Sequence, residues 1–320
     1  MQHALVIFNK KDILYSTFMS PIAIFTYNRP DHLRKCISSL KSNFYFKKTR
    51  FFIFQDALKS VDKEISKKYH LLFKDLPSNF TIIRRNKNYG LKFNIIDGVS
   101  YVLSKFKNII VCEDDLIFQK YFIYYMNSMI QKYEKNKSIS CVSGFSYVFR
   151  NQLKQFPEEY LLKLTSSWGW ATRREFWSKF LKSDLSLEKK NLFSNKKLQY
   201  IFDYDDAQSH TLWLKKNSLN QISSWNIEWE FFNFVNSYST LYPKITFVEN
   251  RGFDGSGTHC TRADYKFQKI NNNYKYQINK KKITFEQEEN ADLRKIISQN
   301  IKQNIIKKNL KKLIYFNFLN

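Results

Sequence analysis

Between residues 21 and 112 short apolar runs alternate with amphipathic stretches, a pattern that few folds accommodate. Residues 21–25, 51–54 and 80–83 read as strands and 109–112 as a fourth, buried one. The intervening stretches carry helical spacing: Leu33, Ile37 and Leu40 within 31–40, then Ile65, Tyr69 and Leu72, then 94–103. Strands that alternate with helices predict βαβ units, hence an α/β fold with a mostly parallel, Rossmann-like central sheet flanked by helices. Ligands of such sheets bind outside the carboxyl ends of the strands. Four strand ends should therefore converge on one crevice, bringing together Thr26-Tyr27-Asn28-Arg29, Gln55-Asp56, Arg84-Arg85-Asn86 and Glu113-Asp114-Asp115.

The last of these segments is the most informative. Glu113, Asp114 and Asp115 follow a buried strand directly, and three adjacent carboxylates repel one another and raise each other's pKa. A hard divalent cation with oxygen ligands removes that penalty and leaves coordination positions for phosphate oxygens. The competing explanation is a solvated strand end that caps the next helix.

At 320 residues and 43% hydrophobic content the chain can bury one large α/β core or two smaller ones. Seven glycines and five prolines argue against long flexible linkers. No stretch reaches the roughly 18 consecutive apolar residues of a membrane span, and residues 5–8 are too short for a signal-peptide core, so a cytoplasmic or peripheral protein is expected. Cys36, Cys112, Cys141 and Cys260 lack the close spacing of zinc or redox motifs and read as reduced thiols. His259 beside Cys260 is weak evidence for a metal. The net charge of +25 would suit nucleic acid or an anionic membrane. The basic residues are spread along the whole chain and no nucleic-acid-binding motif is present, so a nucleic-acid partner is not expected.

The segments "PIAIFTYNRPDHLRKCISSL" from Pro21, "FFIFQDA" from Phe51, "RNKNYGLKFNIIDGV" from Arg85 and "IIVCEDDLIF" from Ile109 together resemble the nucleotide-sugar domain of GT-A glycosyltransferases. They are similar to the inverting N-acetylglucosaminyltransferase I group and its bacterial surface-polysaccharide relatives. "SSWGWATRREFW" from Ser166, "SSWNIEW" from Ser223 and "ITFVENRGFDGSGTHC" from Ile245 extend the likeness to about Cys260.

The resemblance implies a metal-dependent glycosyltransferase, inverting, that moves a sugar from a UDP-sugar to an oligosaccharide or lipid-linked acceptor, with UDP-N-acetylglucosamine the leading donor. It places Mn2+ or Mg2+ on Asp115, where the ion would neutralise charge building on the leaving nucleoside diphosphate. Asp114 falls near the ribose or the metal's water shell and Glu113 near the sugar hydroxyls. Arg29, Asp56 and Asn86 fall at the nucleotide; otherwise Arg29 is a surface ion pair and Asp56 a helix cap. Trp168 and Trp170 are candidates for stacking on an acceptor sugar, or else are core residues. Glu228 lies where the similar inverting enzymes carry the general base. Those relatives often show Asp-Ser-Trp where this chain has Ser223-Ser224-Trp225, so Glu230 and Asp254 stand in reserve. The alternatives are a retaining GT-A transferase and a non-catalytic glycan-binding or nucleic-acid-binding protein.

The expected organisation is an N-terminal tail or edge element at 1–20, a nucleotide-sugar half at 21–145, an acceptor half at 146–261 and a basic, helical extension at 262–320. Asp203-Tyr204-Asp205-Asp206 satisfies a DxD spacing but follows no clear strand and reads as a helix start. Gly252 to Gly257 lacks the Lys-Ser or Lys-Thr step of a Walker motif and reads as a loop closing over the donor. After Asp292 an apolar stripe that includes Leu293, Ile297, Ile301 and Ile305 runs among lysines. It suits either an anionic membrane surface or packing on the enzyme.

Overall fold

The computed structural model describes residues 19–60, 62–254, 267–276 and 289–302. All four expected strands are present: β1 (Ile22–Thr26), β2 (Phe51–Gln55), β3 (Phe80–Arg84) and β4 (Asn108–Glu113). They pair in parallel in the order β3-β2-β1-β4. Between them run helices α1 (Pro30–Lys41), α2 (Lys63–Lys74) and α3 (Gly90–Lys105).

Local chemistry fixes these helices. α1 begins with Pro at its first position, carries Asp31 in its first turn and Lys41 in its last, and buries Leu33, Cys36, Ile37 and Leu40 along one stripe. The Asp62 side chain caps α2 by accepting from the Ile65 amide at 2.9 Å. β1 is buried on both faces, which is why it reads as an unbroken apolar run. Ile22 and Ile24 pack with α1 and with Tyr69 of α2, while Ala23 and Phe25 pack with Ile95, Val99 and Val102 of α3.

The second part of the chain extends the same sheet. β6 (Ile139–Ser143), β7 (Glu159–Leu162), β8 (Trp170–Arg173) and β9 (Ser239–Pro243) complete the order β3-β2-β1-β4-β8-β6-β9-β7. β8 lies antiparallel between β4 and β6, so the sheet is mixed with a parallel majority of pairings. The short β5 (Leu116–Phe118) leaves the carboxylate segment and pairs antiparallel with β10 (Val248–Asn250). α4 (Phe122–Lys132) covers one face, and α5 (Arg174–Lys182) and α9 (Trp225–Val235) pack on the other. α6 (Ser186–Ser194), α7 (Lys196–Phe202) and α8 (His210–Ser218) form a small helical cluster against α9.

One expectation is revised, and one pair of alternatives is decided over its described part. Asp203 to Asp206 is not a helix start: Asp203 ends α7, and Tyr204, Asp205 and Asp206 turn through left-handed backbone with φ of 53°, 59° and 58°. The turn is held because Asp203 Oδ1 accepts from the Thr211 amide at 2.6 Å and Asp205 binds Arg294 at 3.0 Å. The C-terminal stripe, over its described part at 291–302, is a packed helix: Ile297 and Ile301 are buried among Val148, Tyr160, Leu162 and Tyr242. The lysine-rich continuation lies outside the described residues, as do residues 1–18, Gly255, Gly257, His259 and Cys260. Cys36, Cys112 and Cys141 are buried free thiols.

Candidate active site

β1 has β2 on one side and β4 on the other, so the chain leaves β1 and β4 in opposite directions and opens a crevice beyond their carboxyl ends. Arg29, at the start of α1, spans that crevice. Its guanidinium binds Asp114 Oδ1 at 2.5 Å and Asp115 Oδ2 at 3.0 Å. Asp114 Oδ2 also accepts from the Thr26 hydroxyl at 2.7 Å, and Thr26 Oγ1 lies 2.6 Å from the Tyr69 hydroxyl. Arg29 thus meets the carboxylates across more than eighty residues of sequence.

The electrostatics are those of a site short of positive charge. Burial, then Asp115 and Asp114, push the Glu113 carboxyl up to about 8. Burial pushes Asp114 up to about 6, with Arg29 pulling the other way. Burial works against the charged Arg29, yet Asp114, Asp115 and Glu113 outweigh it and hold its pKa above the ordinary value. A single guanidinium therefore does not satisfy three acids. Asp115 Oδ1 is buried without a hydrogen-bond partner.

That orphaned oxygen fits a hard cation, which would take Asp115 directly and draw further oxygen ligands from a bound phosphate. Among the described residues no three His, Cys, Asp or Glu side chains gather into a group that could hold a metal ion by itself.

The described start of the loop after β10, Arg251 to Asp254, lies beside the crevice. The Arg251 amide donates to the Asp115 carbonyl at 2.8 Å. A Cβ on Gly252 would stand 2.2 Å from Asp115 Oδ2, so glycine is what lets the backbone approach this carboxylate. Phe253 meets Trp168 edge-on at 5.8 Å, and Asp254 Oδ2 lies 3.1 Å from His32 Nε2. The described part of the expected closing loop thus lies against the carboxylates.

Asp56 takes the helix-cap role at the next strand end. Its Oδ1 accepts from the Tyr89 amide and its Oδ2 from the Gly90 amide, each at 2.8 Å, fixing the start of α3. It also lines a cavity of about 250 Å³ with Ala57, Ser60, Arg84 and Arg85. Arg85 stacks on Phe54 and Tyr89 and pairs with Asp97 at 2.7 Å. Asn86 is exposed in the same loop.

On the far side of Trp168 lies a larger cavity of about 370 Å³. Trp168, Trp213, His210, Gln208, Ser166 and Asn226 are among its walls, with Tyr147 and Phe267. His210 Nδ1 lies 3.1 Å from the Phe202 carbonyl, which makes Nδ1 the protonated nitrogen and leaves Nε2 as an acceptor. Apart from Trp168, the sequence singled out none of these walls as a site residue, because they come from five separated segments.

Trp170 does not belong to the site. Gly169 turns the chain at φ 62°, and Trp170 enters β8 on the opposite side from Trp168. There it stacks on Trp225 at 5.2 Å and meets Trp177 and Trp229, 1% exposed, as a core residue. Glu228 is also redirected. Ser224, Asn226 and Ile227 line the large cavity, but Glu228 turns away to Lys189 at 2.8 Å and Asn217 at 2.6 Å. Ser224, which matches the serine of the expected motif while Ser223 is the departure from it, caps α9 through the Ile227 amide. Glu230 is buried and holds Thr165 through both its amide, at 2.7 Å, and its hydroxyl.

The raised carboxyls make stability depend on pH with a defined sign. From the ordinary carboxylate range near ~4 up to about 8 the native state holds protons that the unfolded chain has lost. Stability without metal should therefore fall as pH rises from 5 to 8. Mn2+ should flatten that slope by favouring the ionised carboxylates. Melting temperatures across this range with and without Mn2+ check both; a slope that rises with pH would refute the assignment.

Residues 22–191, more than half of the chain, match the sequence profile of Glycosyl transferase family 2. The chain belongs to glycosyl transferase family 2. Its sheet, with β4 ending in the carboxylates at the switch point, is that of the GT-A fold. No curated protein matches the chain. Among solved structures it is similar to one titled "Crystal structure of GalNAc-T7 with UDP, GalNAc and Mn2+", at a TM-score of 0.46 and 11% identity over 73% of this chain. The likeness spans 44% of that other chain.

Proposed function

We propose that this family 2 domain is a metal-dependent glycosyltransferase that moves a sugar from a nucleoside diphosphate sugar, with UDP-N-acetylglucosamine the leading donor, onto a glycan acceptor. The observation that carries this reading is the undercompensated Glu113-Asp114-Asp115 cluster at the switch point, with Asp115 Oδ1 left without a partner. When bound there, a divalent cation such as Mn2+ supplies charge neutralisation for the diphosphate leaving group. The UDP and Mn2+ named for the GalNAc-T7 structure accord with this chemistry.

The chain's own groups do the rest. Arg29, now paired with Asp114 and Asp115, would serve at the crevice as a cation for the donor phosphates. The cavity beside Asp56 and Arg85 suits the base. The large cavity seats the acceptor, whose sugar face can lie against Trp168. Its described walls include no Lys, Arg, Asp or Glu, so the acceptor end is an uncharged sugar. We place the reaction in surface polysaccharide or lipooligosaccharide synthesis, with a free or lipid-borne glycan as acceptor.

An inverting transfer needs a base for the incoming hydroxyl. Asp254 fits best: it lies beside the carboxylate loop, and half of its side chain is open to solvent. Asp254→Asn should lower turnover about a hundredfold with little change in donor binding, whereas Glu228→Gln should leave turnover nearly unchanged. Steady-state kinetics of the two variants decide it, and the reverse result would return the base to the tryptophan helix.

The function itself is tested by incubating the protein with Mn2+, a panel of nucleotide sugars and neutral glycan acceptors, then reading products by mass spectrometry and anomeric configuration by NMR. Transfer from a UDP-sugar with inversion is expected. A retained configuration would favour the retaining mechanism, and binding of glycan without any transfer or donor hydrolysis would overturn the enzyme reading.

A further inference from the structure

The outward side of the helical cluster α6–α8 concentrates exposed apolar side chains. Of the twelve large hydrophobic residues that stand exposed among the described residues, six fall between positions 187 and 219. They are Leu187, Tyr200, Ile201, Leu212, Trp213 and Leu219, with Leu187 76% and Leu219 58% exposed. They are not the cluster's core, because Leu192, Phe202 and Leu214 already supply that by packing onto Ile227 and Phe231 of α9. Lysines stand among them: Lys190, Lys196, Lys197, Lys215 and Lys216 are all exposed. The exposed acids over the same helices and turns are far fewer, with Asp206 in the left-handed turn.

We infer that this side of α6–α8 is the surface by which the protein lies on an anionic lipid bilayer. The chemistry matches that partner on both counts. Leucines, a tyrosine and a tryptophan enter the boundary between head groups and acyl chains, where amphipathic rings are favoured. Lysines beside them bury their alkyl stems and reach anionic head groups with their ammonium groups. A soluble protein partner would be expected to meet a less uniformly positive rim.

The position of the surface gives it a use. Trp213 is 52% exposed on the outward side and also lines the 370 Å³ cavity together with His210, its neighbour in α8. A bilayer against α6–α8 would therefore bring lipid head groups to the rim of the cavity. An acceptor sugar carried on a lipid could enter the cavity without leaving the membrane. The surface does not depend on the lysines beyond residue 302.

The test uses the full-length protein and sedimentation with vesicles of phosphatidylcholine alone or with about one-third phosphatidylglycerol, at low and high salt. Two variants are compared with the parent: Lys196→Ala/Lys197→Ala/Lys215→Ala/Lys216→Ala and Leu187→Ser/Leu219→Ser. All six positions are solvent-exposed and lie outside the cavity walls, so the fold should hold, with circular dichroism as the check. The parent should bind the anionic vesicles in a salt-sensitive way, and the lysine variant should lose about tenfold or more of that affinity. The leucine variant should lose affinity that salt does not restore. Partitioning unchanged in both variants would overturn the proposal. So would light scattering that shows dimers which Leu187→Ser/Leu219→Ser abolishes, since the occupant would then be a second copy of the chain. The readout is binding without donor or acceptor, so it stands or falls separately from the transfer reaction.

Discussion

Asp115→Asn should reduce sugar transfer by about a thousandfold or more, because a cation held by Asp115 would supply several kcal/mol of charge neutralisation to the leaving group. The amide keeps the shape of the carboxylate, so Gly252 can still pack against it and the Arg251 amide still finds the same backbone carbonyl. What is lost is the anionic oxygen that stands buried and without a partner. The empty protein should be no less stable, since one of three mutually repelling acids is gone. UDP with Mn2+ should raise the melting temperature of the parent by about 5 °C at a hundredfold excess over Kd, and should barely move that of the variant. Differential scanning fluorimetry beside a transfer assay checks both halves. Full activity in Asp115→Asn would remove the metal from this residue.

The central parallel strands were legible because they are buried on both faces: Ile22 to Phe25 and Phe51 to Phe54 carry no polar alternation that a helix or an edge strand would show, whereas β3, at the sheet edge, is only partly buried. The carboxylates were legible for the opposite reason, since charge at the end of such a run demands compensation. The antiparallel β8 was not, because its place between β4 and β6 depends on pairings across more than sixty residues on one side and about thirty on the other. β5 and β10 have three residues each, too few for any period to appear. The misplaced site residues share one cause. Aromatic or acidic character marks a residue as valuable but does not say which face it takes, and Trp170 and Glu228 were assigned by motif while their direction was set by Gly169 and by the cap at Ser224. His210 and Trp213 carried no motif at all, and they meet Asn226 only because α8 and α9 pack together.

Replacing each tryptophan of the Trp168-Gly169-Trp170 step by alanine should separate site from core. Trp170→Ala should destabilise the protein by about 3–5 kcal/mol, the usual result of emptying a large buried aromatic site. The indole sits against Trp177, Trp225 and Trp229 between the sheet and α5 and α9, and the rings around it belong to different elements and cannot close the gap without shifting the sheet. Trp168→Ala removes a half-buried ring that faces the cavity, Phe145 and Phe253. Its stability loss should be smaller, and its main effect should be a raised KM for the glycan acceptor, with UDP binding close to normal. Urea denaturation of both variants, beside acceptor and donor titrations, tests the assignment. Were Trp170→Ala to unfold like the parent while acceptor affinity collapsed, Trp170 would be a sugar platform after all, and β8 would have to present its first residue to the crevice instead of to the helices.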